Sequence, residues 1–215
     1  MRRLPWIAVG CGALAAAACT PPDAGDDGRN GRDEEVHEDP GVWQVAESLA
    51  GAYATPDGVA TPETMRGALV WRDRDDGPWA YAERQRDGGA PQRRVYRVRY
   101  ERPGYPADVF TLPAGTPPAT WGGGAPLPDG LTPDGLTAHP ACTIAFRRTG
   151  PGDYAGTTES PACRLGGDAG GRTAITVTFR DGDATVWERR EGADSTVVAG
   201  DAAPVAFERV RTGRR

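Results

Sequence analysis

The sequence predicts an all-β domain, an antiparallel barrel preceded by one short helix. After Tyr53 the chain breaks into about ten short runs of strand-forming residues separated by turn residues, with no helical periodicity between them. The runs lie near 68–73, 78–85, 93–101, 107–112, 142–148, 153–158, 173–180, 183–190, 194–199 and 204–210. The best-marked hairpin joins Thr173–Arg180 to Asp183–Arg190, because Ile175, Val177 and Phe179 alternate with threonines and Asp181-Gly182 supplies the turn. Strands that follow one another without intervening helices make a sandwich or a barrel. The polar character of one strand face favours the barrel.

That face needs explanation. In the run from Trp79 to Gln85, alternation places Trp79, Tyr81, Glu83 and Gln85 together, with Ala80 and Ala82 opposite. In the next run Arg94, Tyr96, Val98 and Tyr100 share a face. Paired as a hairpin, the two strands can bring Tyr81, Glu83, Arg94 and Tyr96 onto one surface. A core face would be aliphatic, whereas aromatic walls with one carboxylate and one guanidinium suit a pocket for a flat, acid-edged ligand. Buried, Glu83 and Arg94 must either pair with each other or meet a ligand, since a lone buried charge costs several kcal/mol.

The remaining segments are read in order. Arg2 and Arg3 precede an apolar stretch from Trp6 to Ala18, the pattern of a signal peptide over residues 1–18. It ends Leu14-Ala-Ala-Ala-Ala18-Cys19, which resembles a bacterial lipobox with Cys19 lipidated, although Ala-x-Ala also permits ordinary cleavage. Thr20 follows the cysteine, and the resemblance to lipoprotein sorting in double-membraned bacteria implies the cell envelope, at the periplasmic face of the outer membrane. Residues 19–39 are acidic and nearly free of apolar groups, so they form a disordered tether from the lipid to the domain. Asp39-Pro40 reads as helix cap and first helical position, and Val42, Ala46, Leu49 and Tyr53 follow at helical spacing. The barrel domain spans 40–210, and 211–215 is a basic tail. Residues 113–140 are rich in Pro and Gly around Trp121, either an insertion or a lid across a barrel mouth.

Composition excludes some chemistry. With 215 residues and 38% hydrophobic content, one domain with a true core is expected. A net charge of −5 argues against a nucleic-acid partner. All 25 basic residues are Arg, which removes any Schiff-base lysine. His37 and His139 are the only histidines and lie in loop text, so neither a metal centre nor a Ser-His-Asp triad is expected. Cys11 leaves with the signal and Cys19 takes lipid, leaving Cys142 and Cys163 to pair in an oxidising compartment. A reactive or ligand-attaching thiol is the alternative.

The blocks Tyr81-x-Glu83, Pro91-x-Arg93-Arg94-Val95-Tyr96, a strand-opening Cys142, Gly156-Thr157 followed by Cys163, and a late Trp187 together resemble the CpcT/CpeT family of phycobilin chromophore lyases. The resemblance spans roughly 43–210. It implies a calycin-like (lipocalin-like) barrel that binds a linear tetrapyrrole, a bilin, and attaches it to a cysteine of an acceptor protein. It implies further that Arg93 and Arg94 hold the propionates, that Glu83 meets the pyrrole nitrogens or acts as general acid or base, and that Trp79, Tyr81 and Tyr96 wall the pocket. No other cofactor is implied. The alternative is a lipid-anchored envelope protein using the same barrel to hold another small amphiphile without catalysis.

Overall fold

A short helix fills one end of a strand ring that closes on itself. The computed structural model describes residues 39–86, 88–121, 126–165, 171–192 and 196–211. The signal segment, Cys19, the tether up to residue 38 and the tail beyond Arg211 lie outside the described residues.

Helix α1 runs Pro40–Leu49, started as the sequence predicts: Asp39 Oδ1 accepts the Gly41 N–H at 2.8 Å and Pro40 occupies the first turn. It stops earlier than expected. Ala50 and Gly51 donate back to Ala46 and Ser48, and Tyr53 enters a strand instead, its hydroxyl reaching Ser48 O at 2.9 Å. The strands are β1 (Ala52–Ala54), β2 (Glu63–Val70), β3 (Trp79–Arg86), β4 (Gln92–Val98), β5 (Tyr105–Thr111), β6 (Thr137–Ala138), β7 (Ile144–Gly150), β8 (Asp153–Thr158), β9 (Arg172–Arg180), β10 (Asp183–Glu191), β11 (Val197–Gly200) and β12 (Val205–Arg209).

Ten strands make the ring, in the order β1-β2-β3-β4-β5-β7-β8-β9-β10-β12 and back to β1, each antiparallel to its neighbours. β6 and β11 are appended outside it, on β5 and β10. The β9–β10 turn is built as read: Asp181 (φ 53°) and Gly182 (φ 89°) both sit in the left-handed region that a two-residue hairpin demands.

The ring encloses α1. Val42, Val45, Ala46 and Leu49 are buried against inward residues that include Met65, Tyr96, Val109, Ile144, Phe146, Tyr154, Val177, Phe179, Val186 and Phe207. Gly67 of β2 is where helix and wall come closest. A Cβ there would stand 2.5 Å from Leu49 O and 2.6 Å from Ala50 Cα, so only glycine admits the helix. At the far end of α1, Gln44 accepts a hydrogen bond from Tyr154 and Asp39 accepts one from Tyr105. Cys142 and Cys163 are joined as a disulfide, both buried, tying the chain before β7 to the loop after β8.

The Pro/Gly-rich segment is neither a lid over the mouth nor a bystander. Its described parts lie as a strap on the outer wall, where Leu127, Leu131, Leu136 and Trp121 pack on Val70, Trp79, Tyr81 and Val95. Trp121 stacks on Tyr81 at 5.9 Å, and Trp71 Nε1 donates to Leu131 O. A second apolar cluster therefore sits outside the barrel, beneath this strap.

Candidate functional site: the ionic mouth of the barrel

The register of β3 and β4 decides which side chains reach the interior. Tyr81 lies opposite Val95, Ala82 opposite Arg94, and Glu83 opposite Arg93. Directly paired residues point the same way. Trp79, Tyr81, Glu83 and Arg93 therefore face outward, and Ala80, Ala82, Arg94 and Tyr96 face inward. This corrects the expectation that Tyr81, Glu83, Arg94 and Tyr96 share one surface. Glu83 does not pair with Arg94. It accepts the Tyr81 hydroxyl at 3.0 Å on the outer wall, where burial and the Glu83 charge both raise the phenol pKa. Arg93 donates to the carbonyls of Thr116 and Pro117 at 2.9 and 2.7 Å, pinning the strap. Trp79 is clamped between Trp71 and Phe110. Trp187, one of the blocks of the resemblance, also lies on the outer side, with the Arg189 guanidinium over its ring.

Arg94 is the sequence-singled charge that the lumen holds. Its Nη1 and Nη2 donate to Glu188 Oε2 and Oε1 at 2.8 and 2.5 Å, a two-pronged pair across the barrel from β4 to β10. Burial alone would raise the Glu188 pKa, but the Arg94 charge outweighs it and holds the carboxyl below its ordinary value. Tyr96 stands beside them, its hydroxyl pKa raised chiefly by burial.

Above this pair lies an ionic lattice. Arg84 gives Nε to Glu63 Oε2 at 2.8 Å and both terminal nitrogens to Asp201 at 2.9 and 3.1 Å. Arg86 gives Nε to Glu63 Oε1 at 2.8 Å and Nη2 to Asp201 Oδ1 at 2.5 Å. Glu63 and Asp201 are 4% and 5% exposed, so the arginines are what make their ionised burial tolerable. Asp201 also accepts the Glu188 N–H and, through its carbonyl, the Trp187 indole. It thereby locks the β11–β12 connection to the rim. Burial would raise its pKa, yet the hydrogen bonds from Arg84 and the Glu188 amide hold it below the usual carboxylate range.

The strand ends around this lattice enclose a cavity of about 280 Å³ lined by Glu63, Arg84, Arg86, Gln92, Glu188 and Asp201, together with residues of β9, β10, β11 and the β3–β4 turn. Beneath it a smaller void of about 40 Å³ shares Arg84, Gln92 and Glu188 and is otherwise bounded by Leu49, Met65, Phe179 and other apolar groups. Polar mouth and apolar throat are thus continuous in their lining. Among the described residues no cluster of His, Cys, Asp and Glu could hold a metal ion, and no helix is long and apolar enough to cross a membrane.

The sequence reading missed Glu63, Arg84, Arg86, Glu188 and Asp201. A signal existed for Glu188: it continues the inward series Ala184, Val186 on β10. None existed for Asp201, which sits in a loop 117 residues from the arginine it binds.

Acid should loosen this end of the molecule. Asp201 and Glu188 have folded pKa values below their ordinary values of 3.8 and 4.5. Their stabilising effect is therefore complete above pH ~5 and is lost as pH falls through 4.5 and 3.8 toward the depressed values. Urea midpoints are expected to be flat from pH 7 to 5 and to drop below pH 4, and the Asp201→Asn variant should show a shallower drop.

Fold and site define a class, a calycin-like antiparallel β-barrel able to receive a small ligand at an ionic mouth. No protein-family profile matches the chain, and no curated protein does. Among solved structures the chain is similar to the CRL protein of Arabidopsis, determined in selenomethionine form, with a TM-score of 0.59 at 15% identity. The match covers 79% of this chain and 97% of that one, and at this identity the likeness is one of fold.

Proposed function

We propose that the barrel is a binding domain of the chromophore-lyase type, holding a linear tetrapyrrole or a similarly shaped acidic amphiphile in its mouth and throat. The observation that carries the reading is the cavity of about 280 Å³ whose walls are charged and whose floor is apolar. A bilin matches both: propionates for arginines, N–H groups for carboxylates, and a flat apolar body. The tetrapyrrole itself comes from the resemblance of the Tyr81–Glu83 and Pro91–Tyr96 blocks to that lyase family. On this reading the groups at the ligand are Arg94, Tyr96 and Glu188, with Arg84 and Glu63 at the rim. Glu83, Tyr81, Trp79 and Arg93 support the wall from outside.

The same reading places the domain in the cell envelope, carried by a lipid on Cys19, with an acceptor protein as partner if the ligand is passed to a cysteine. A non-catalytic envelope carrier of another amphiphile uses the same cavity, and one titration separates the two. Full-length protein is titrated with biliverdin and with phycocyanobilin while absorbance is followed. A saturable red shift that is lost in a folded Arg94→Met/Glu188→Leu double variant supports the tetrapyrrole. A well-folded protein with an unchanged spectrum refutes it and leaves the carrier of a different amphiphile.

A further inference from the structure

The ring is continuous at its closed end and lacks a strand at its mouth. β12 meets β1 where Arg209 faces Tyr53 and Glu208 faces Ala54. The chain then turns away to β2, with the Thr55 N–H donating to Glu63 O. From Val205 back through β11 the run is hydrogen-bonded to β10 on one side, and among the described residues no strand lies on its other side. Natural sheets usually blunt such an edge with charged side chains or proline. β11 holds neither, and its Val197 and Val198 are 49% and 58% exposed. Residues 196–206 carry one charge, Asp201, whose carboxylate is buried on Arg84 and Arg86.

Beside this open edge lies a groove of about 540 Å³. Pro56, Val59 and Ala60 of the β1–β2 loop form one wall, and Ala202, Ala203 and Pro204 of the β11–β12 connection form the other. Among the described residues its charged lining groups are Glu63, Arg86 and Asp201, which are bound to one another. The same three line the mouth cavity, so groove and mouth share that part of the lattice as a common wall. An uncharged groove along an open backbone edge suits an occupant that brings its own N–H and C=O groups and no charge, which is an extended strand. The β11 of a second copy does not fit. It arrives with its own β10 attached, and that neighbour would fall on the β1–β2 loop, whereas a free extended segment carries no neighbour.

We propose that the groove is a strand-acceptor site. An extended, uncharged segment of a partner protein, rich in small and β-branched residues, adds to the edge of β11 and lays alternate side chains between Val59 and Ala203. The added strand completes the wall of the mouth and lies against the connection that Asp201 holds. The site goes beyond the ligand reading above and stands whatever the mouth holds.

The test titrates full-length protein into a fluorescein-labelled, end-capped heptapeptide of alternating threonine and valine and follows anisotropy. A copy of the same peptide with N-methylated backbone amides keeps the side chains and loses the main-chain donors. The first peptide is expected to saturate, and the methylated copy to bind at least tenfold more weakly, the order of one lost hydrogen bond. Val59→Glu and Ala203→Glu, both at exposed positions on the groove walls, should each weaken the first peptide roughly tenfold by placing an unpaired charge against it. Val210→Glu changes a valine of similar exposure beyond the end of β12, outside the groove, and should change nothing. Urea melts identify any variant that has lost its fold. Bound peptide should also slow hydrogen exchange at the amides of β11. No saturable signal, equal affinity for the two peptides, or binding indifferent to both groove variants overturns the proposal. So does a dimer in sedimentation that Val59→Glu dissolves, since a second copy would then fill the groove.

Discussion

Glu188→Ala is expected to destabilise the barrel by about 3–5 kcal/mol, because it strands the Arg94 guanidinium in the lumen with no carboxylate to meet it. Both side chains are largely buried, at 13% and 14% exposure, and Arg94 Nη1 and Nη2 both point at Glu188. Arg94→Met should cost a similar amount by stranding the carboxylate, with the loss growing as pH rises from 4 to 7 because only the ionised form is penalised. The double change Arg94→Met/Glu188→Leu removes both charges together and should be close to neutral. Urea titrations of the four proteins close the cycle, and a coupling below about 1 kcal/mol would mean that the pair is as solvated as a surface bridge. The outcome also bears on function. A pair that can be exchanged for apolar residues without loss of stability has another reason to be there, and ligand titration of the double variant examines it.

Breaking the Cys142–Cys163 bond comes next in size. The cysteines are 21 residues apart in sequence, and opening a loop of that length should cost about 3 kcal/mol. The double variant Cys142→Ala/Cys163→Ala is expected to lower the urea midpoint accordingly while leaving the β9–β10 hairpin and the ionic lattice intact. Both sulfurs are spent on the bond and buried, so alkylation of the folded protein should label neither. A rapid reaction with iodoacetamide under non-reducing conditions would reopen the reading of one of them as a working thiol.

Fold and site were unequally visible in the chain. The barrel was legible because it rests on local signals: alternation in β9 and β10, the Asp181-Gly182 turn, and the Asp39-Pro40 helix start. β1 and β6 were not, since three and two residues carry too little pattern to stand out. The site went astray by one residue. Side chains alternate along a strand, so the β3–β4 register decides whether Arg94 looks across at Glu83 or at Glu188, and a slip of one exchanges the faces. The aromatic face looked like a pocket for a related reason. Trp79 and Tyr81 are covered, but by a strap some forty residues further on, and sequence alternation does not say which of two covered faces is the inner one. Asp201 illustrates the deeper limit: its carboxylate organises the rim through contacts that no spacing rule connects.

The helix within the ring has a kinetic consequence. Because α1 occupies the throat from below, the barrel is a cul-de-sac, and whatever enters through the ionic rim must leave by the same route. Loosening the β11–β12 connection held by Asp201 would then quicken arrival and departure alike, so this one rim contact sets how long a guest stays.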